Sequence, residues 1–174
     1  MTKLLLALFL ILLSTSSAIA KDWKLSSGSL QYTLTHALHT TVGTSKEVKG
    51  LGKCEANSCR FLIAAPVKSF DSANANRDSN MQQYTKAALF PIVEVRTTVL
   101  PVVGKKSADL EVKFAGKTHK YSVQMEFTKE NSGFKVNTNI PMKLSDFSIE
   151  RPALFGVNVS DEVPISVELH IAAN

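Results

Sequence analysis

The stretch KYSVQMEFTK, residues 120–129, alternates apolar and polar side chains without a break, and this period of two constrains the chain most. On an extended backbone Tyr121, Val123, Met125 and Phe127 face one way, and Ser122, Gln124, Glu126 and Thr128 face the other. A helix would scatter both sets around its axis, so the segment reads as a strand with one dry and one wet face. The pattern recurs. Leu30, Tyr32, Leu34 and His36 share a face in SLQYTLTH, and Phe134, Val136 and Ile140 share one in FKVNTNI, after an ENSG turn. In EVPISVELHI the shared face is Val163, Ile165, Val167, Leu169 and Ile171, and Pro164 suits a strand start or an edge. Residues 47–51, 60–66, 92–99 and 110–115 bring the count to about eight strands. Strands that are dry on one side belong to antiparallel sheets. Eight of them close into a small barrel able to hold one ligand, although a two-sheet sandwich would show the same alternation.

One segment breaks the pattern. SANANRDSNMQQY, residues 72–84, is polar and lies between two β-like, apolar flanks. Asp71 or Ser72, and again Asp78 or Ser79, can cap a helix. Met81, Tyr84 and Ala88 recur at helical spacing, which predicts a helix over residues 79–89 that stops before Pro91. In a barrel this loop and helix would either cover a sheet edge or lie across an open end, with Arg77, Asp78, Met81 and Tyr84 as lid or rim. Arg77 and Asp78 read as a pair that stiffens the loop, with a ligand's polar head as the other target for Arg77.

The first twenty residues read separately. Lys3, an apolar run from Leu4 to Leu13 and the small-x-small triplet Ala18-Ile19-Ala20 form a secretory signal peptide, which leaves residues 21–174 as one exported domain. Without Lys3 the formal charge falls from +5 to +4. The basic residues are scattered and do not interleave with aromatics, which argues against a nucleic-acid groove. The charge admits transient contact with anionic membrane surfaces. Cys54 and Cys59 flank a turn-like Glu-Ala-Asn-Ser, so in an oxidising compartment they would staple a hairpin tip.

Catalysis finds little support. Serines, histidines and acids are present, but no G-x-S-x-G context assembles them. His36 and His39, read as one strand, face opposite sides and share no metal. His119 and His170 lack Cys or acidic companions at ligand spacing. The reading is a non-enzyme with no metal and no cofactor.

The order of the segments resembles the YceI-like family of exported bacterial proteins. Trp23, Ser29 and His36 match its opening strand. KSFDSANANRDSNM, with Asp71, Asn76, Arg77, Asp78 and Pro91, is similar to its central segment, and Phe147, Ile149, Gly156, Asp161 and Val163 match its final one. The Cys54–Cys59 insertion and Asn80, where many members carry His, are departures. The resemblance implies an all-β fold with one short helix, an extended lipocalin-like eight-stranded antiparallel barrel. It further implies a polyisoprenoid or quinone-type ligand held in an apolar tunnel, a periplasmic or secreted location, and a homodimer as one assembly seen among relatives. Leu34, Phe61, Val95, Phe114, Val123, Met125, Phe127 and Val136 would line the tunnel, with His36 near the head group. Alternatively these side chains meet one another and fill the barrel, as in a ligand-free structural or stress-protective protein.

Overall fold

The computed structural model describes residues 22–55 and 57–173, so the expected leader over residues 1–20 lies outside the described residues. In chain order the elements are β1 (Asp22–His36), β2 (His39–Ser45), β3 (Lys49–Glu55), β4 (Ser58–Pro66), α1 (Ala75–Tyr84), β5 (Ile92–Thr98), β6 (Gly104–Phe114), β7 (Lys117–Lys129), β8 (Gly133–Ile140), β9 (Ala153–Leu154), β10 (Val157–Asn158) and β11 (Ile165–Ala173). Strands β3 to β8 run as an antiparallel meander, and β11 pairs with both β8 and β1. That last pairing closes an eight-stranded antiparallel barrel and settles the choice between barrel and sandwich. β11 begins just after Pro164, where the missing N–H costs no ladder bond.

β1 is 15 residues long and organises the wall. One edge pairs with β11 from Trp23 to Tyr32. The other edge is shared: Asp22–Lys24 pairs with β3, and Leu30–His36 pairs with β2. Among the described residues the far edge of β2 meets no other strand. Instead Thr44 and Asp71 exchange both backbone hydrogen bonds, at 2.9 and 3.1 Å. The polar segment therefore starts as an edge cover and then turns into α1.

The helix is displaced from the sequence expectation of residues 79–89. It begins at Ala75 because Asn74, rather than Asp71, Ser72, Asp78 or Ser79, is the cap; its side chain accepts the Arg77 N–H at 3.0 Å. It ends at Tyr84 because Lys86 takes a left-handed conformation (φ 54°). Lys86 N–H then donates to Gln83 O at 3.0 Å and Ala87 N–H to Gln82 O at 2.8 Å, the paired bonds of a Schellman stop.

The end of the barrel around the N-terminus of β1 is filled by aromatics. Phe134 lies 5.6 Å from Trp23 and 6.1 Å from Phe127, ring centre to ring centre. Phe61 lies over Gly52, where any Cβ would overlap its ring. Cys54 and Cys59 sit directly opposite each other on β3 and β4 and are disulfide-bonded, and Trp23 donates its indole N–H to Cys54 Sγ at 3.1 Å. Closing so short a loop restricts the unfolded chain modestly. Reduction should therefore cost about 2 kcal/mol, read as a lower urea midpoint with reductant present. Identical midpoints in the two melts would show that the staple adds nothing.

Candidate functional site: an apolar cavity beneath the helix

The rest of the barrel is hollow. A cavity of about 460 Å³ lies among β1, β5, β6, β8 and β11, with Met125 entering from β7. Each strand supplies alternate residues: Leu30, Tyr32, Leu34 and His36 from β1; Val93, Val95 and Thr97 from β5; Leu110, Val112 and Phe114 from β6; Ile165, Val167 and Leu169 from β11. Met142, Leu144 and Ile149 reach in from the chain between β8 and β9.

Of the expected lining residues, Leu34, His36, Val95, Phe114 and Met125 surround this cavity. Phe61, Val123, Phe127 and Val136 do not; they are buried on the same inner faces but belong to the packed core. On the helix Arg77, Met81 and Tyr84 line the opening, and Asp78 does not.

Arg77 and Asp78 do not pair with each other, contrary to the reading of the sequence. Successive helix residues point in different directions. Each grips Ser72 instead. The Asp78 carboxylate accepts the Ser72 N–H at 3.1 and 3.3 Å, while Arg77 Nη2 donates to Ser72 O at 3.4 Å. Arg77 Nη1 also reaches Thr41 Oγ1 on β2, at 3.5 Å, and so ties the helix to the barrel rim.

His36 and His39 also depart from expectation. Ala37 and Leu38 form a two-residue turn, so the two histidines oppose each other on neighbouring strands, with ring centres 5.4 Å apart. Both line the mouth. His36 is buried and satisfied: Nδ1 accepts the Leu38 N–H at 3.2 Å, which places the proton on Nε2, and Nε2 donates to Val157 O at 3.1 Å. No cluster of three or more His, Cys, Asp or Glu side chains able to hold a metal occurs among the described residues.

Tyr121, Asp146 and Asp161 fasten the cavity wall, and Tyr32 lines it. Burial pushes the Tyr32 phenol up; the charge of Asp78 adds to this, and Arg77 and the adjacent Ser72 hydroxyl, which makes no well-formed hydrogen bond of its own, oppose it. Burial first, and then donation to Asp146 Oδ2 at 2.6 Å, push the Tyr121 phenol far up. Asp146 also accepts the Lys143 N–H at 3.2 Å, so Tyr121 fastens the segment whose Met142 and Leu144 wall the cavity. Asp161 accepts both the N–H and the hydroxyl of Ser145, at 2.9 and 2.6 Å, which holds its carboxyl below the usual range.

A folded-state phenol raised above its unfolded value of 10.0 contributes stability that is complete below pH 10 and is lost as pH rises through the folded value. In an alkaline titration Tyr32 and Tyr121 should therefore ionise late, by phenolate absorbance. Tyr121→Phe should remove one late step. A titration with every phenolate appearing at the unfolded value would refute the burial of both hydroxyls.

The sequence of residues 23–171 matches the YceI-like domain. The chain belongs to the YceI-like family. Solved structures of other proteins share its fold. A polyisoprenoid binding domain from Saccharophagus degradans, implicated in plant cell wall breakdown, superposes with a TM-score of 0.67 at 15% identity, covering 87% of this chain and 98% of that one. Burkholderia cenocepacia BcnA gives 0.68 at 18% identity, covering 83% and 96%. The Campylobacter jejuni YceI protein gives 0.62 at 17% identity, covering 76% and 84%. Comparison with curated protein sequences found no match. At these identities the YceI-like neighbours establish the barrel and its closure for this chain.

Proposed function

We propose that this YceI-like protein is exported and holds a polyisoprenoid chain, of polyprenyl or quinone-tail type, in the barrel cavity as a carrier or store, without catalysing a reaction. The observation that carries the proposal is the satisfied polar chemistry of the cavity wall. In the cavity wall the buried Thr138 gives its hydroxyl proton to Gln124 O at 2.9 Å, and the half-buried Thr97 gives its own to Asp109 O at 2.9 Å. Those hydroxyls have little to offer a polar ligand, and apart from Tyr32, His36, His39 and Thr41 the other strand residues that line the cavity are apolar. Unspent polar capacity lies at the helix end, around His39, Arg77, Asn80 and Gln83. An apolar chain with its polar head at the helix fits that division.

Burying a CH₂ stabilises by roughly 0.8 kcal/mol, so one isoprene unit contributes roughly 3–4 kcal/mol at most. Association costs roughly 4–15 kcal/mol, and several units are needed to bind firmly. A cavity of about 460 Å³ falls within the usual range for small-molecule sites, roughly 300–1,000 Å³. The signal-peptide-like N-terminus and the disulfide support export to an oxidising compartment. The structural neighbour named as a polyisoprenoid binding domain supports the ligand class. Assembly as a homodimer and transient membrane contact belong to the same proposal. Native mass spectrometry of protein purified from its own host, followed by lipid extraction, should release a polyprenyl lipid. A ligand-free mass throughout would favour a structural role, and a bound polar metabolite would overturn the ligand class.

A further inference from the structure

Toward the disulfide end of the barrel the cavity stops on six strands together. Ile63 of β4, Thr97 of β5, Leu110 of β6, Met125 of β7, Thr138 of β8 and Leu169 of β11 border it. Two residues further toward that end, where the same side of the chain faces inward again, stand Phe61, Val99, Ala108, Phe127, Val136 and Ile171. All six are buried, and none borders the cavity. Leu169 pairs with Val136, and Val136 pairs with Phe127, so the boundary falls between neighbouring side chains.

Two aromatic rings stiffen this floor. Phe127 meets Phe134, which leans on Trp23. Phe61 pairs with the lining residue Thr97 on one side and with Gly52 on the other. A Cβ at Gly52 would collide with the Phe61 ring, so the bare backbone of β3 is what makes room for it. The Cys54–Cys59 disulfide joins β3 to β4 just beyond, and the Trp23 indole N–H donates to Cys54 Sγ at 3.1 Å. A floor packed in this way resists displacement, whereas Met81, Met125 and Met142, which border the open space, adapt to what fills it.

The space above the floor is finite. A methylene takes about the volume of a water molecule in the liquid, roughly 30 Å³, so a cavity of about 460 Å³ accepts about fifteen carbon atoms. The geometry points to a limit on chain length: the barrel encloses about three isoprene units, and Phe127 and Phe61 are the residues that set the limit. A longer chain still binds by the units that fit. Its remaining units stay in water at the helix end, where they add nothing to affinity. That the chain is a prenyl chain rests on the proposed cargo; the limit on its length does not.

The test is displacement of a fluorescent apolar probe, N-phenyl-1-naphthylamine, from the mature chain. The competitors are geraniol, farnesol, geranylgeraniol and geranylfarnesol, which differ by one isoprene unit each, and separately a series of straight-chain alcohols, all kept below their aggregation concentrations. From geraniol to farnesol affinity should rise at least about tenfold, and beyond farnesol it should flatten to within about threefold. Phe127→Ala lowers the floor and should let geranylgeraniol gain at least about fivefold on farnesol. Phe127→Leu should shift the ratio the same way, and it serves if the alanine variant does not fold. Affinity that keeps rising at the same rate through geranylfarnesol, that is already flat from geraniol, or that breaks at the same length in the Phe127 variants overturns the inference. A break near fifteen carbons among the straight-chain alcohols, with no displacement by any prenyl alcohol, keeps the length limit and sinks the cargo reading alone. No binding of the probe or of either series overturns both.

Discussion

Met125→Trp should abolish loading of a long polyprenyl chain while leaving the barrel folded. Met125 is buried on β7, faces inward opposite Thr138 of β8, and borders the cavity. An indole there grows into open volume. In a filled core the same change would force off-rotamer side chains and cost roughly 1–3 kcal/mol. The space it takes belongs to the ligand. Losing room for a single isoprene unit removes roughly 3–4 kcal/mol of burial, more than about a hundredfold in affinity. A thermal melt beside a polyprenyl-binding assay separates the cases. If the variant melts early and the unmutated protein takes up no polyprenyl lipid, the barrel is filled by its own side chains and the cargo reading fails.

The strands were legible in the sequence where their inner faces are hydrocarbon. In β7 the inward residues Tyr121, Val123, Met125 and Phe127 announce themselves by period. β2 went unread because its inward residues are Thr41, Gly43 and Ser45, so the alternation carries no hydrophobic signal. The hairpin before it was hidden for a related reason. Its turn is Ala37-Leu38, with none of the Gly, Pro, Asn or Asp that mark turns, and His36 and His39 therefore looked like neighbours on one strand. The helix was found but misplaced, since Lys86 holds the left-handed stop that glycine usually marks, and Ala87, Ala88 and Leu89 read as continued helix. For the site, periodicity separates inside from outside. It says nothing about which inward side chains border open volume: Leu34, Val95, Phe114 and Met125 do, and Phe61, Val123, Phe127 and Val136 do not.

That difference in surroundings sets the second large effect. Phe127→Ala should cost roughly 3–5 kcal/mol, the usual toll for emptying a buried phenylalanine site. Met125 and Phe127 are two residues apart on one face of β7, yet their surroundings differ. Phe127 is 2% exposed and meets Phe134 edge-on, and Phe134 in turn tilts against Trp23. Aromatic contacts of this geometry add to the area they bury. The disulfide, the Trp23 indole and Phe61 over Gly52 gather at the same end of the barrel, where a new hole cannot collapse without moving β3, β4 and β8 together. Met125→Ala, in contrast, widens a cavity that already exists and should fall near the lower end of the roughly 2–5 kcal/mol seen for methionine truncations. At roughly 2–4 °C per kcal/mol for a domain of this size, Phe127→Ala should melt some 6–20 °C early. It should still load polyprenyl lipid below that temperature, because the cavity wall is intact. Urea titrations of the two alanine variants measure the difference directly. Equal losses would mean that Met125 and Phe127 occupy one continuous core, and the division of the barrel into a packed end and a receptive end would be wrong.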